Sequence, residues 1–298
     1  MPFPTTVRTI SRGFSLVEMA IVMVIIGLLL ILFLPTVTVI NSNKNRTETL
    51  LKLKNIETAI YNFVIVNKRL PCPADGTLTA GTEARVAATG QCTNNQANGV
   101  VPWTTLGLSS ADVLDSWSNQ ITFRIGYGLA GTAALDMSSC DPAGTAAASP
   151  AAAAAPAINL GLCATTCTGT FSAGSCTSPQ NFLIRKGLDV SDGTAKMMDY
   201  TTYTGAGFVL ISHGDNGYGA MTSNQSYQTT AVRAIAGTTL EAPNINGALT
   251  VSSGAPPQIV DTSFSDSVGD ATKYFDDLII RPTVISVINA AQLVPRSH

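Results

Sequence analysis

Histidine is almost missing from this sequence: His213 and His298 are the two in 298 residues. Zinc sites usually draw on histidine, and Cys163-x3-Cys167 is not the spacing of a standard zinc knuckle, so a cysteine-based metal site has little support. Charge is also scarce, at 12% of residues, with a net charge of −2. The lysines and arginines are scattered and form no basic stripe, so the electrostatic footprint of a nucleic-acid binder is absent. Aromatics make up only 6%, so the 45% apolar share is mostly Ala, Val, Ile and Leu. The length suits one or two domains.

What is present is a long apolar run, RGFSLVEMAIVMVIIGLLLILFLP, from Arg12 to Pro35. From Met19 to Leu34 no polar side chain occurs, and between Phe14 and Leu34 only Ser15 and Glu18 interrupt. Such a stretch is long enough to cross a bilayer as a helix. An acid well inside it costs about 2.5–3.5 kcal/mol on insertion scales, and less near the end, where Glu18 lies. Either Glu18 reaches the head groups, or it pairs with a charge inside the membrane. Arg8 and Arg12 precede the run, while Lys44, Arg46, Lys52 and Lys54 follow it, so positive charge alone does not orient it.

The cysteines settle the orientation. Cys72, Cys92, Cys140, Cys163, Cys167 and Cys176 all lie beyond the apolar run. An even number in an exported region suggests disulfides and places the C-terminal part in an oxidising compartment. Cys72 and Cys92 bracket a polar loop and are expected to pair. The other four are expected to close within an Ala/Ser/Gly-rich insertion, residues 137–179, with Cys163 to Cys176 as one loop. The C-terminal LVPRSH resembles a thrombin-site remnant and, with His298, is set aside from the functional argument.

Beyond Ile40 the residues Leu50, Leu53, Ile56, Ile60, Phe63 and Val64 fall at helical steps. The pattern predicts one helix from Phe14 to about Asn67, kinked at Pro35, and ended by Pro71 and Pro73. Strands are expected at 121–125, 181–185, 207–212, 230–235 and 277–280, the last extending through Val287. Gly126-x-Gly128-x-x-Gly131 matches a dinucleotide fingerprint, but no helix or βαβ unit follows it. Ser212-His213-Gly214-Asp215-Asn216-Gly217 carries triad letters in a row, yet a triad converges from distant segments, so this stretch reads as a turn. Asp215, Asn216 and nearby carbonyls also offer oxygens to calcium. No convergent catalytic site can be named, and the chain is read as a non-enzyme.

Arg12-Gly13 followed by Phe14-Ser15-Leu16-Val17-Glu18, with the apolar helix and Pro35, resembles the prepilin peptidase site of type IV pilins and type II secretion pseudopilins. Asp115-Ser-Trp-Ser-Asn-Gln120, the 212–217 loop and Phe275-Asp-Asp-Leu-Ile279 resemble three pseudopilin segments, with serines where the first has proline and glycine. In the major pseudopilin such loops hold calcium. The resemblance implies an α+β fold, with a long N-terminal helix packed on an antiparallel sheet and a disulfide-containing insertion. It implies a leader at 1–13, a transmembrane and filament-core helix at 14–40, its amphipathic continuation at 41–70 and a globular domain at 71–298. It further implies that cleavage after Gly13 exposes Phe14 for N-methylation, and that Phe14, Glu18 and Pro35 serve filament assembly. The implied partners are other pilin-like subunits, prepilin peptidase, and an inner-membrane platform and motor. The implied location is the inner membrane before assembly and a pilus or periplasmic pseudopilus afterwards. The competing reading is a non-polymerising, membrane-anchored ligand-binding protein.

Overall fold

The computed structural model describes residues 15–85, 92, 99–126, 129–130, 139–140, 187–200, 202, 204–228, 240–245, 259–265, 267, 270, 272–293 and 296–297, with 30–40, 139–140 and 296–297 in backbone only. The chain divides into two units, residues 1–44 and 45–298. Helix α1 (Leu16–Asn67) contributes to both and is helical through Pro35. Among the described residues no helix is long and apolar enough to cross a membrane. The span expected at 14–40 falls partly on residues whose side chains are not described. In the first unit, Leu16, Val17, Met19, Ile21 to Ile26, Leu28 and Leu29 are all exposed.

In the second unit, α1 buries one stripe. Leu53, Ile56, Ile60 and Val64 are wholly buried, at the three- and four-residue steps that keep one face of a helix inward. Leu50, expected in that stripe, is exposed, and Thr49 takes the inward place, its hydroxyl accepting from Ser116 N at 3.1 Å. The helix stops where Lys68 turns left-handed at φ 61°, three residues before Pro71.

The stripe covers an antiparallel sheet of β2 (Thr122–Ile125), β6 (Phe208–Ser212) and β9 (Leu278–Ile280), in the order β2-β6-β9. Every residue of β2 and β6 is buried, which fits a sheet covered on both faces. Tyr61 of α1 meets Phe208 edge-on at 6.1 Å, and Phe123 lies 6.0 Å from Phe208. β1 (Asn119–Gln120) pairs with β7 (Met221–Thr222). A third sheet, β4 (Val190–Ser191), β5 (Lys196–Met198) and β8 (Ile259–Val260), is mixed: β4 runs antiparallel to β5 and parallel to β8. β3 (Ser139–Cys140) and β10 (Arg296–Ser297) also pair in parallel, so the expected antiparallel arrangement holds for the sheet under α1 and not for every pairing.

The expected extension of the last strand through Val287 is also corrected. β9 ends at Ile280, and Val284–Ala290 forms helix α2. Pro282 cannot donate to a sheet ladder, and the Thr283 hydroxyl accepts from Ser286 N at 3.0 Å, capping the new helix. Cys72 and Cys92 form a disulfide, as expected. Of Cys140 only the backbone is described, and Cys163, Cys167 and Cys176 lie outside the described residues, as do the strands expected at 181–185 and 230–235.

Candidate functional site

Two regions carry the residues singled out in the sequence. The first is the start of α1. Gly13 and Phe14 lie outside the described residues. Ser15 and Glu18 form a reciprocal pair: Ser15 N donates to Glu18 Oε2 at 2.9 Å, and Glu18 N donates to Ser15 Oγ at 3.2 Å. This is a capping box, which satisfies two backbone donors at the helix start. Its signal in the sequence is Ser-x-x-Glu ahead of an apolar run.

The second region joins the three segments 115–120, 212–217 and 275–279. Asp115 organises its own turn: Oδ1 accepts from Trp117 N at 3.0 Å and from Asn119 N at 2.8 Å. Its Oδ2 accepts from the Ser212 hydroxyl at 2.7 Å, tying the turn to β6. Burial pushes the Asp115 carboxyl up to about 6, against the lowering effect of those three bonds. Ser118 sits at φ 67°, a left-handed position where glycine is the easier residue. Trp117 Nε1 donates to Asp215 Oδ1 at 3.1 Å, joining the first and second segments.

The second and third segments meet at Gly214. Its φ is 56°, and a Cβ there would lie 2.5 Å from the Asp276 carbonyl oxygen, so no larger residue fits. Asn216 N and the Tyr274 hydroxyl both donate to Asp276 Oδ2, at 2.9 Å each. A fourth segment, 240–245, enters here without having been anticipated. Glu241 Oε1 accepts from Asp276 N at 2.9 Å, and its Oε2 accepts from Asn216 Nδ2 at 2.8 Å. Asn244 Nδ2 donates to Asp277 Oδ2 at 2.7 Å. Arg124, inside β2 and wholly buried, holds this segment by its backbone, donating to the carbonyls of Pro243, Asn244 and Ile245.

Glu241, Asp276 and Asp277 therefore form a buried trio, each offering an oxygen within 4.8 Å of the others. Burial raises all three; neighbouring acids add to it for Glu241, at about 7, and for Asp277, while the bonds that Asp276 makes work against it there. His213 lies beside them, 1% exposed. Its Nε2 is 2.9 Å from Thr122 Oγ1, and its Nδ1 is 3.7 Å from Asp277 Oδ1, too long for a hydrogen bond. Burial, followed by the charge of Arg124, depresses the imidazole to about 3, so it is neutral. The order Thr122, His213, Asp277 has triad lettering, but all three side chains are buried and the His–Asp contact is unmade.

Asp215 and Asn216, the calcium ligands expected from the resemblance, are engaged otherwise. Asp215 Oδ1 takes the indole N–H, and Asn216 Oδ1 accepts from Tyr218 N at 2.8 Å while its amide N–H points at Glu241. Asn216 would meet a cation through Oδ1, which already accepts from Tyr218 N, and Asp215 through a carboxylate that already takes the indole N–H.

A sequence model of the prokaryotic N-terminal methylation motif matches residues 8–34. The chain thus carries the hallmark of the prepilin-like proteins, the type IV pilins and pseudopilins. Among prepilin-like proteins the motif marks processing by prepilin peptidase and assembly into pilin-like polymers. No curated protein and no solved structure matches the chain.

Proposed function

We propose that the protein is a structural subunit of a type IV pilus-like filament or type II secretion pseudopilus, polymerising through α1 after cleavage at Gly13. The methylation motif over residues 8–34 carries this reading. Apolar side chains exposed along Leu16–Leu29 support it, because an apolar surface of that extent needs a bilayer or neighbouring helices to cover it. In the assembled bundle the cationic amine of mature Phe14 faces Glu18 of an adjoining subunit. The pairing is strong where little water competes, and it sets the stagger of helices that would otherwise slide. The globular unit, residues 45–298, stands at the filament surface, in the oxidising compartment where the Cys72–Cys92 bond forms.

The test is to isolate surface or sheared filaments and sequence their components by mass spectrometry. The expected result is this chain beginning at N-methyl-Phe14. Filaments in which it retains Met1, or a membrane pool processed at Gly13 that never enters a filament, would return the reading to a non-polymerising anchored binding protein.

A further inference from the structure

The buried trio is unbalanced in charge. Glu241, Asp276 and Asp277 carry three negative charges when ionised, and Arg124 supplies one positive charge beside them. Two negative charges remain in a region where every one of these side chains is 5% exposed or less. Buried charge without compensation is costly, so the cluster takes up either two protons or one divalent cation.

The distribution of hydrogen-bond donors favours the cation. The inward oxygens Asp276 Oδ1 and Asp277 Oδ1 have no donor, although both are fully buried. His213 Nδ1 is likewise without a partner. The imidazole Nε2 meets Thr122 Oγ1, which leaves Nδ1 facing Asp277 Oδ1, 3.7 Å away. A histidine whose far nitrogen is held by a polar partner is also how metal-ligating imidazoles are usually oriented.

The donor set distinguishes among cations. Calcium takes six to eight oxygens. Of the six carboxylate oxygens here, four already accept N–H or O–H bonds: both of Glu241, Asp276 Oδ2 and Asp277 Oδ2. A four-coordinate ion of the zinc class needs only one oxygen from each of three carboxylates, or fewer, together with an imidazole nitrogen. We propose that Glu241, Asp276, Asp277 and His213 form a structural site for a zinc-class divalent cation, which locks segment 240–245 onto the end of the β2-β6-β9 sheet. The site is independent of the filament reading, because none of its ligands lies in α1.

The test uses the full chain, oxidised and free of titratable thiols, in detergent and stripped with a chelator. Thermal unfolding is followed while free Zn2+ or Ca2+ is raised, and Co2+ is added separately for its visible spectrum. Zn2+ should raise the melting temperature at a free concentration at least about 100-fold below any Ca2+ effect, and Co2+ should give the intense bands of a four-coordinate N/O site. His213→Gln, which keeps a polar contact for Thr122, and Glu241→Gln, which keeps the acceptor for Asp276 N, should each weaken Zn2+ binding by at least about 100-fold, since loss of a ligand costs no less than loss of the bonds that support one. His213→Gln should leave the melting temperature of the stripped protein close to wild type, whereas Glu241→Gln loses the acceptor for Asn216 Nδ2 and is read on Zn2+ affinity alone. The proposal fails if Ca2+ acts at lower concentration than Zn2+. It fails equally if Zn2+ binding survives both substitutions, or if neither ion has an effect, in which case protons alone neutralise the trio.

Discussion

At the residue scale, Asp115 shows what one buried carboxylate can do. Three donors converge on it, from its own turn and from β6, so it fixes both the local backbone and the distance to the sheet. Its carboxyl, raised to about 6, holds its proton in the folded state over a pH range in which the unfolded chain has released it. The folded protein therefore binds more protons between pH ~4 and ~6, and the contribution of Asp115 to stability falls as pH rises through that window, by up to about 3 kcal/mol. Asp115→Asn removes this slope. Urea midpoints of the full chain at pH 4 and pH 7 should move in the variant's favour with rising pH, relative to wild type; parallel profiles would refute the account. His213, held at about 3, gives the opposite slope, with stability rising between pH ~3 and ~6.5, and cancels in the comparison.

At the element scale, the exit from α1 is over-determined. Arg69 makes a two-pronged ion pair with Glu83, at 2.8 Å on each arm, and Glu83 also accepts from Cys72 N at 3.0 Å. The disulfide from Cys72 to Cys92 then closes a loop of 20 residues onto the same point. Converting both cysteines to alanine should cost about 3 kcal/mol, the chain-entropy value for a loop of that length. Chemical denaturation of the double variant measures it. A cost near zero would mean that the Arg69–Glu83 pair alone holds the junction. The same scale explains the corrected end of β9: alternation in Leu278–Ile280 continues past Pro282 on paper, but a missing N–H and a capping threonine turn the chain into α2.

At the scale of the whole molecule, the proposed polymer depends on one charge, and the capping box complicates its test. Glu18→Ala loses both the carboxylate and the bond to Ser15 N, so a fall in filament yield would not separate assembly from helix capping. Glu18→Gln does, because glutamine serves at the same capping-box position without charge. If the acid neutralises the Phe14 amine, both variants should accumulate in the membrane and fail to polymerise, since an unpaired buried charge costs about 3–5 kcal/mol. Normal filament yield for Glu18→Gln alongside a defect in Glu18→Ala would assign the acid to capping alone. The readout is filament yield relative to membrane-pool level for each variant.

The sequence by itself determined what is written in near neighbours. Helical spacing at Leu53, Ile56, Ile60 and Val64 marks the buried face of α1, and two prolines mark its end. The alternating segment at 121–125 and the apolar run at 207–212 mark two strands of the main sheet, and the Cys72–Cys92 pair follows from a loop that those two cysteines bracket. The tertiary structure alone decided the rest. Leu50 fits the spacing yet faces outward, because nothing in a period specifies which residues a sheet will cover. Arg124 reads as the polar position of an alternating strand, but is buried because segment 240–245 brings it three carbonyls. Glu241, in a stretch with no pattern, meets Asp276 35 residues away. His213 meets Thr122 across a separation of 91. Local periodicity reports the shape of a segment, whereas a buried polar cluster is set by which distant segments must satisfy one another's donors and charges once water is gone.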